Sequence, residues 1–190
     1  MMSLTAMFVM ISATFISSCS EKDNEQGEFD NVSITMNLNL PDGKMVLKPF
    51  IKWGGSVSEV KNYMKTACPE WEMEGSLYLS GTVWVTDYCY NEDISMCYSF
   101  TEEGGNNLIY STIYFDGSSD FKPAKDEAER LGFKYKGEIT YDIENVPLVN
   151  LLYLSADEKL ELQIAGWEGE SPYWGISLQA TDPEDLLLVK

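Results

Sequence analysis

Ser56-Val57-Ser58-Glu59-Val60-Lys61-Asn62-Tyr63-Met64-Lys65-Thr66-Ala67-Cys68-Pro69 carries both a helix start and a helix stop. Ser56 and Glu59 stand at the spacing of a capping box, in which the hydroxyl and the carboxylate each satisfy the other's exposed backbone amide. Val57, Val60, Met64 and Ala67 recur every three or four residues with Tyr63 alongside, which gives the helix one apolar stripe. Pro69 ends it.

Beyond this helix the hydrophobic period drops to two. Leu77-Tyr78-Leu79 and the stretches 82–90, 95–100 and 108–115 read as strands, the last rich in β-branched and aromatic residues. The polar cluster 102–107 turns the chain before the last of them, and 116–120 ends the run. A second, shorter helix follows, with Pro123 in its first turn, Ala124, Ala128 and Leu131 on one face, and Gly132 at its stop. Stretches 133–141, 149–154, 160–167 and 173–180 then return to strand, joined by polar turns at 155–158 and 168–172. The last ten residues, 181–190, read as a loop and a short apolar tail.

On the N-terminal side, Val32, Ile34, Met36, Leu38 and Leu40 alternate with polar residues, the mark of a half-buried strand. Pro41-Asp42-Gly43 turns the chain, and 44–50 returns as a partner strand. The expectation is therefore an α+β fold over 32–190. It has a largely antiparallel sheet with two helices, built as a duplicated helix-plus-strands unit. Tyr98-Ser99-Phe100-Thr101 before a polar turn and Leu108 matches Tyr153-Leu154-Ser155 before a polar turn and Leu160. This order resembles the β-lactamase-inhibitor-protein type of fold and the small lipoproteins of outer-membrane assembly complexes. The resemblance implies that each helix covers one sheet face and leaves the other free for a partner.

The first residues carry a different signal. Leu4-Thr5-Ala6-Met7-Phe8-Val9-Met10-Ile11-Ser12-Ala13-Thr14-Phe15-Ile16-Ser17-Ser18-Cys19 holds no charge and ends at a cysteine behind two small residues. Its apolar run of about a dozen residues falls short of the roughly 20 that span a bilayer. It resembles a bacterial lipoprotein signal peptide with Ile16-Ser17-Ser18-Cys19 as the lipobox, although Met1-Met2-Ser3 lacks the usual basic residue. The resemblance implies removal of 1–18 and acylation of Cys19, with 19–31 as a flexible tether. Two or three acyl chains anchor firmly where one does not. The implied location is the outer membrane, on its periplasmic face or at the cell surface. Ser20-Glu21-Lys22-Asp23 resembles the acidic signals that some diderm bacteria use for surface display.

The 190 residues carry a formal net charge of -18, which repels nucleic acid and anionic headgroups. An aromatic share of 13% marks a folded chain rather than an acidic disordered one. With no histidine in the chain, Ser-His-Asp and Cys-His nucleophiles and histidine-held zinc are excluded. No Cys-x-x-Cys and no glycine-rich phosphate loop occur, and no cofactor or metal is expected. A carboxylate pair stays open in principle, but nothing singles out two of the 31 acidic residues. Asp116-Gly117-Ser118-Ser119-Asp120 lacks the alternating-oxygen spacing of a calcium loop.

In an oxidising compartment one disulfide is expected among Cys68, Cys89 and Cys97. Cys89 with Cys97 is the favoured pair, since they flank a short turn and face each other if Tyr88 stands opposite Tyr98. Three free thiols are the alternative. Trp167, Tyr173 and Trp174 bracket an acidic loop and form a candidate aromatic platform for a ligand. The expected function is non-catalytic: an anchored module that recognises a protein partner, with glycan binding at the aromatic loop as the other reading.

Overall fold

The computed structural model describes residues 33–182 except 80–82, 102–105, 118–119, 144–145 and 168–172. A short hairpin comes first, β1 (Met36–Leu40) and β2 (Gly43–Leu47), paired antiparallel around the Pro41-Asp42 turn. Helix α1 (Val57–Ala67) follows, then four strands: β3 (Glu72–Leu79), β4 (Val83–Asn91), β5 (Ile94–Phe100) and β6 (Leu108–Asp116). Helix α2 (Lys122–Arg130) opens a second such run, β7 (Lys134–Ile143), β8 (Val146–Leu154), β9 (Leu160–Trp167) and β10 (Tyr173–Ala180).

The eight strands form one sheet in the order β3-β4-β5-β6-β10-β9-β8-β7, every neighbouring pair antiparallel. Each half is a meander preceded by its helix, and the last strands of the two halves pair at the centre. The expected α+β class and the repeat of helix and strands are both present. β4 and β8, at equivalent places, are each 9 residues long.

Both signals of the opening stretch are realised. Ser56 Oγ accepts from the Glu59 amide at 3.3 Å, and Glu59 Oε2 accepts from the Ser56 amide at 2.8 Å. Val57, Val60 and Met64 are buried, whereas Ala67 is exposed; the stripe continues instead into Cys68, 2% exposed. In α2, Ala124 and Ala128 are buried as expected, and between them lies a buried carboxylate, Glu127. Glu127 Oε1 accepts from the Asn37 backbone amide of β1 at 2.5 Å, and Arg130 closes on both its oxygens at 2.6 Å. That bond fastens the N-terminal hairpin to the second half.

Strand alternation sorts the sheet into two faces. Met96, Tyr98, Phe100, Ile113, Phe115, Leu162, Ile164, Trp174 and Ile176 share one core cluster with α1, α2 and the β1–β2 hairpin. Tyr98 ties this face together: its hydroxyl accepts from the Phe50 amide at 3.1 Å and lies 3.3 Å from Met64 Sδ. The opposite face carries a transverse row, Asp87, Cys97, Thr112, Ser177, Gln163 and Leu152, each in register with the next. This face was expected to be free. Most of its described residues are instead buried, Thr112 at 5%, Asn150 at 4% and Leu152 at 0% exposed.

Two sequence expectations fail at the β4–β5 turn. The turn is only Glu92-Asp93, with a bulge between Cys89 and Asn91, so Tyr88 faces Met96 and Thr86 faces Tyr98. Cys89 then stands opposite Ser95 and Cys97 opposite Asp87. The expected Cys89–Cys97 disulfide does not form, and Cys68, Cys89 and Cys97 are free thiols. Diagonal positions two residues out of register lie too far apart for the short Cβ separation a disulfide needs. Elsewhere β3 starts at Glu72 rather than Leu77, because pairing with β4 extends it through exposed glutamates that lack apolar alternation.

Candidate functional site

Three parts of the chain meet at one end of the large sheet: the β4–β5 turn and the end of β6, which the meander places together, and the turn of the separate β1–β2 hairpin. Between them lies a cleft of about 980 Å³ on the helix side. This is the size of an ordinary ligand or peptide site. One wall is the hairpin, through Leu40, Asp42, Lys44 and Val46; the other is the β4–β5 turn, through Tyr90, Asp93 and Ile94. Phe115 and Trp174 form its apolar floor, and Glu70, Asp116 and Asp120 complete the rim.

Backbone bonds set this geometry. The Asp116 amide donates to Asp93 O at 2.8 Å, which locks the β4–β5 turn against the end of β6. The Asp93 amide donates to Asn91 Oδ1 at 3.0 Å and shapes the turn itself. Tyr90 stands half exposed, at 47%, with its ring 5.4 Å from that of Trp71. Val46, at 50%, is exposed on the opposite wall.

Among the described lining residues there are five carboxylates and one base, Lys44. Burial and the neighbouring Asp93 charge push the Asp116 carboxyl above its ordinary value. Burial is the larger of the two causes, and the Asp93 charge adds to it. A second cleft, of about 480 Å³, opens on the other face at the same end, lined by Glu70, Glu72, Glu74, Cys89, Tyr114 and Asp116. The β4–β5 turn thus divides two acidic recesses.

The sequence-predicted platform is not assembled. Trp174 is 1% exposed and stacked on Phe115, and Tyr173 is 4% exposed. Adjacent residues of a strand point to opposite faces, so Tyr173 and Trp174 cannot share one surface. Trp167 ends β9 opposite Tyr173, and the loop it was expected to bracket, 168–172, lies outside the described residues. Cys19 and the tether 19–31 also lie outside them.

The three free thiols are all shifted towards their neutral form. Burial pushes Cys97 well above the ordinary thiol range, with Asp87 adding to it, and burial raises Cys68 and Cys89 as well. Among the described residues no group of three or more His, Cys, Asp or Glu is arranged to hold a metal ion. None of the described helices is long and apolar enough to cross a membrane.

The sequence reading missed Val46, Tyr90, Asp93 and Asp116 as a group. A signal was available for part of it: in a meander alternate turns share one end, and the turns at 91–93 and 116–120 both carry aspartate, whereas the turn at 41–43 belongs to a separate hairpin. No family model, no curated protein and no solved structure matches this chain.

Proposed function

We propose that this chain is a non-catalytic binding module of the cell envelope, lipid-anchored through Cys19, whose acidic cleft receives a basic segment of a partner protein. The supporting observation is the pairing of five carboxylates at the rim with an apolar floor and walls. A lysine or arginine side chain has matching parts: its aliphatic stem lies along apolar surface while its charged head stays among carboxylates. Tyr90 offers its ring face to the same cation. A net charge of -18 draws such a segment in over long range and repels polyanions.

The glycan reading loses its main support, because Tyr173 and Trp174 are buried on opposite faces. A carboxylate enzyme is not favoured either, since no observation singles out an acid–base pair among the carboxylates that line the cleft.

The test is titration of a fluorescent peptide bearing alternating lysine and leucine, read by anisotropy, beside its glutamate-for-lysine counterpart. Only the basic peptide binds, and its affinity falls at least about tenfold between low salt and roughly 0.5 M salt. Asp93→Asn with Asp116→Asn weakens it further, and Tyr90→Ala weakens it without changing the salt slope. Equal binding of both peptides, or indifference to all three substitutions, overturns the assignment.

A further inference from the structure

The β1–β2 hairpin is a sheet of two strands, so each strand has one edge turned away from its partner. Opposed residues of an antiparallel pair alternate between those that bond each other and those whose N–H and C=O point outward. The Asn37 amide donates outward, to Glu127 Oε1 on α2, which fixes the phase. Asn37 opposite Val46, and Asn39 opposite Lys44, are the outward pairs. Lys44 and Val46 therefore present N–H and C=O along the outer edge of β2, away from α2.

Lys48 continues the same phase and shows what that edge meets. Its carbonyl oxygen accepts from Tyr63 Oη at 2.9 Å and from Cys68 Sγ at 3.8 Å, so the edge lies on the side of α1. Among the described residues no such partner reaches the outer edge at Lys44 or Val46. Both residues are exposed, and both line the acidic cleft together with Glu70, just past α1. A strand edge with open donors and acceptors is a template for another strand.

We propose that the partner segment docks as an added β-strand along Lys44–Val46 and makes the hairpin a three-stranded sheet; this rests on the reading of the cleft as a site for a basic segment. Main-chain bonds to the edge supply affinity, and alternate side chains supply specificity. Opposed residues of neighbouring strands share a face. One set of the segment's side chains turns inward beside Met45 and Ile94, both partly buried against the core, and suits apolar residues. The other set stays at the rim with Asp42, Glu70 and Asp93 and suits lysine or arginine. The fitting partner is thus an extended segment in which basic and apolar residues alternate, rather than a basic helix.

The alternating lysine–leucine peptide tests this through its backbone. N-methylating every lysine, or every leucine, removes the N–H groups along one edge of the strand and leaves those of the other. One methylated set loses at least about tenfold in affinity, and the other stays within about threefold of the parent. In the unmodified protein the Lys44 and Val46 amides exchange fast when free and slow at least about tenfold with the parent peptide bound. Val46→Pro gives up an amide the hairpin does not use and abolishes binding, while Val46→Thr retains it. Should Val46→Pro fail to fold, the methylation and exchange readouts still decide, since both use the unmodified protein. Binding of the parent with equal response to the two methylated sets overturns the added strand and leaves the basic-segment reading standing. No binding of the parent overturns both. Protection of both amides in the free protein, by the chain itself or by a second copy, also overturns the proposal.

Discussion

Phe115 and Trp174 stack across the centre of the sheet, with ring planes 8° apart and centroids 3.9 Å apart. They are register partners in the β6–β10 ladder, which joins the two half-sheets. Trp174→Ala removes the largest fully buried side chain in the described structure from that seam. The expected loss is about 3–5 kcal/mol, measured as a fall in the denaturant midpoint with an unchanged slope.

Glycines near the seam make a graded pair. A Cβ at Gly166 would stand 2.8 Å from the Phe121 ring, which can swing away at the start of α2. One at Gly175 would stand 2.9 Å from the Ile113 carbonyl oxygen, which is backbone and cannot. Gly166→Ala should cost roughly 1–3 kcal/mol, and Gly175→Ala more, compared by thermal unfolding of the two variants.

Asp87 and Glu127 give stability opposite pH dependences. Asp87 is 9% exposed, and burial raises its pKa to about 6; the Cys97 thiol partly opposes this and the Glu74 charge reinforces it. The folded state therefore holds its proton more tightly than the unfolded chain. Stability is highest below the ordinary aspartate value and declines as pH rises towards 6, by on the order of 2 kcal/mol. Asp87→Asn should flatten this decline and raise stability at neutral pH, as read from urea midpoints across pH.

Burial pushes Glu127 upward, but hydrogen bonds from Arg130 and from the Asn37 amide outweigh it and leave the carboxyl below its ordinary value. Its contribution is complete above the unfolded glutamate value and disappears as the pH falls through the lowered one. Glu127→Ala strands the Asn37 amide and should cost about 1–3 kcal/mol at neutral pH. Hydrogen exchange should localise the loosening to β1.

Local chemistry was readable where one residue decides an outcome. The Ser56–Glu59 box, Pro123 and Gly132 marked both helices, and alternation marked most of the strands. Three things were not readable. The bulge after Cys89 sets the register of β4 on β5, and nothing in its side chains announces it. The start of β3 at Glu72 depends on its partner strand, not on its own pattern. Trp174 looked like a platform because composition cannot distinguish a tryptophan beside a loop from one stacked on Phe115 across the sheet. The cleft depended on topology, since Val46, Tyr90 and Asp116 lie far apart in sequence and meet only through the order of the turns.

The bond from Asn37 to Glu127 spans 90 positions. A ribosome delivers residues at about 5–20 per second, so the first hairpin waits several seconds for its acceptor to be made. The first meander can form in that interval from neighbouring strands alone, whereas β1 has no α2 to dock on. The first hairpin described is thus among the last elements to find its place, and an interrupted chain ending before α2 would display β1 and β2 paired with each other but undocked, with the apolar side chains of Met36 and Leu38 uncovered.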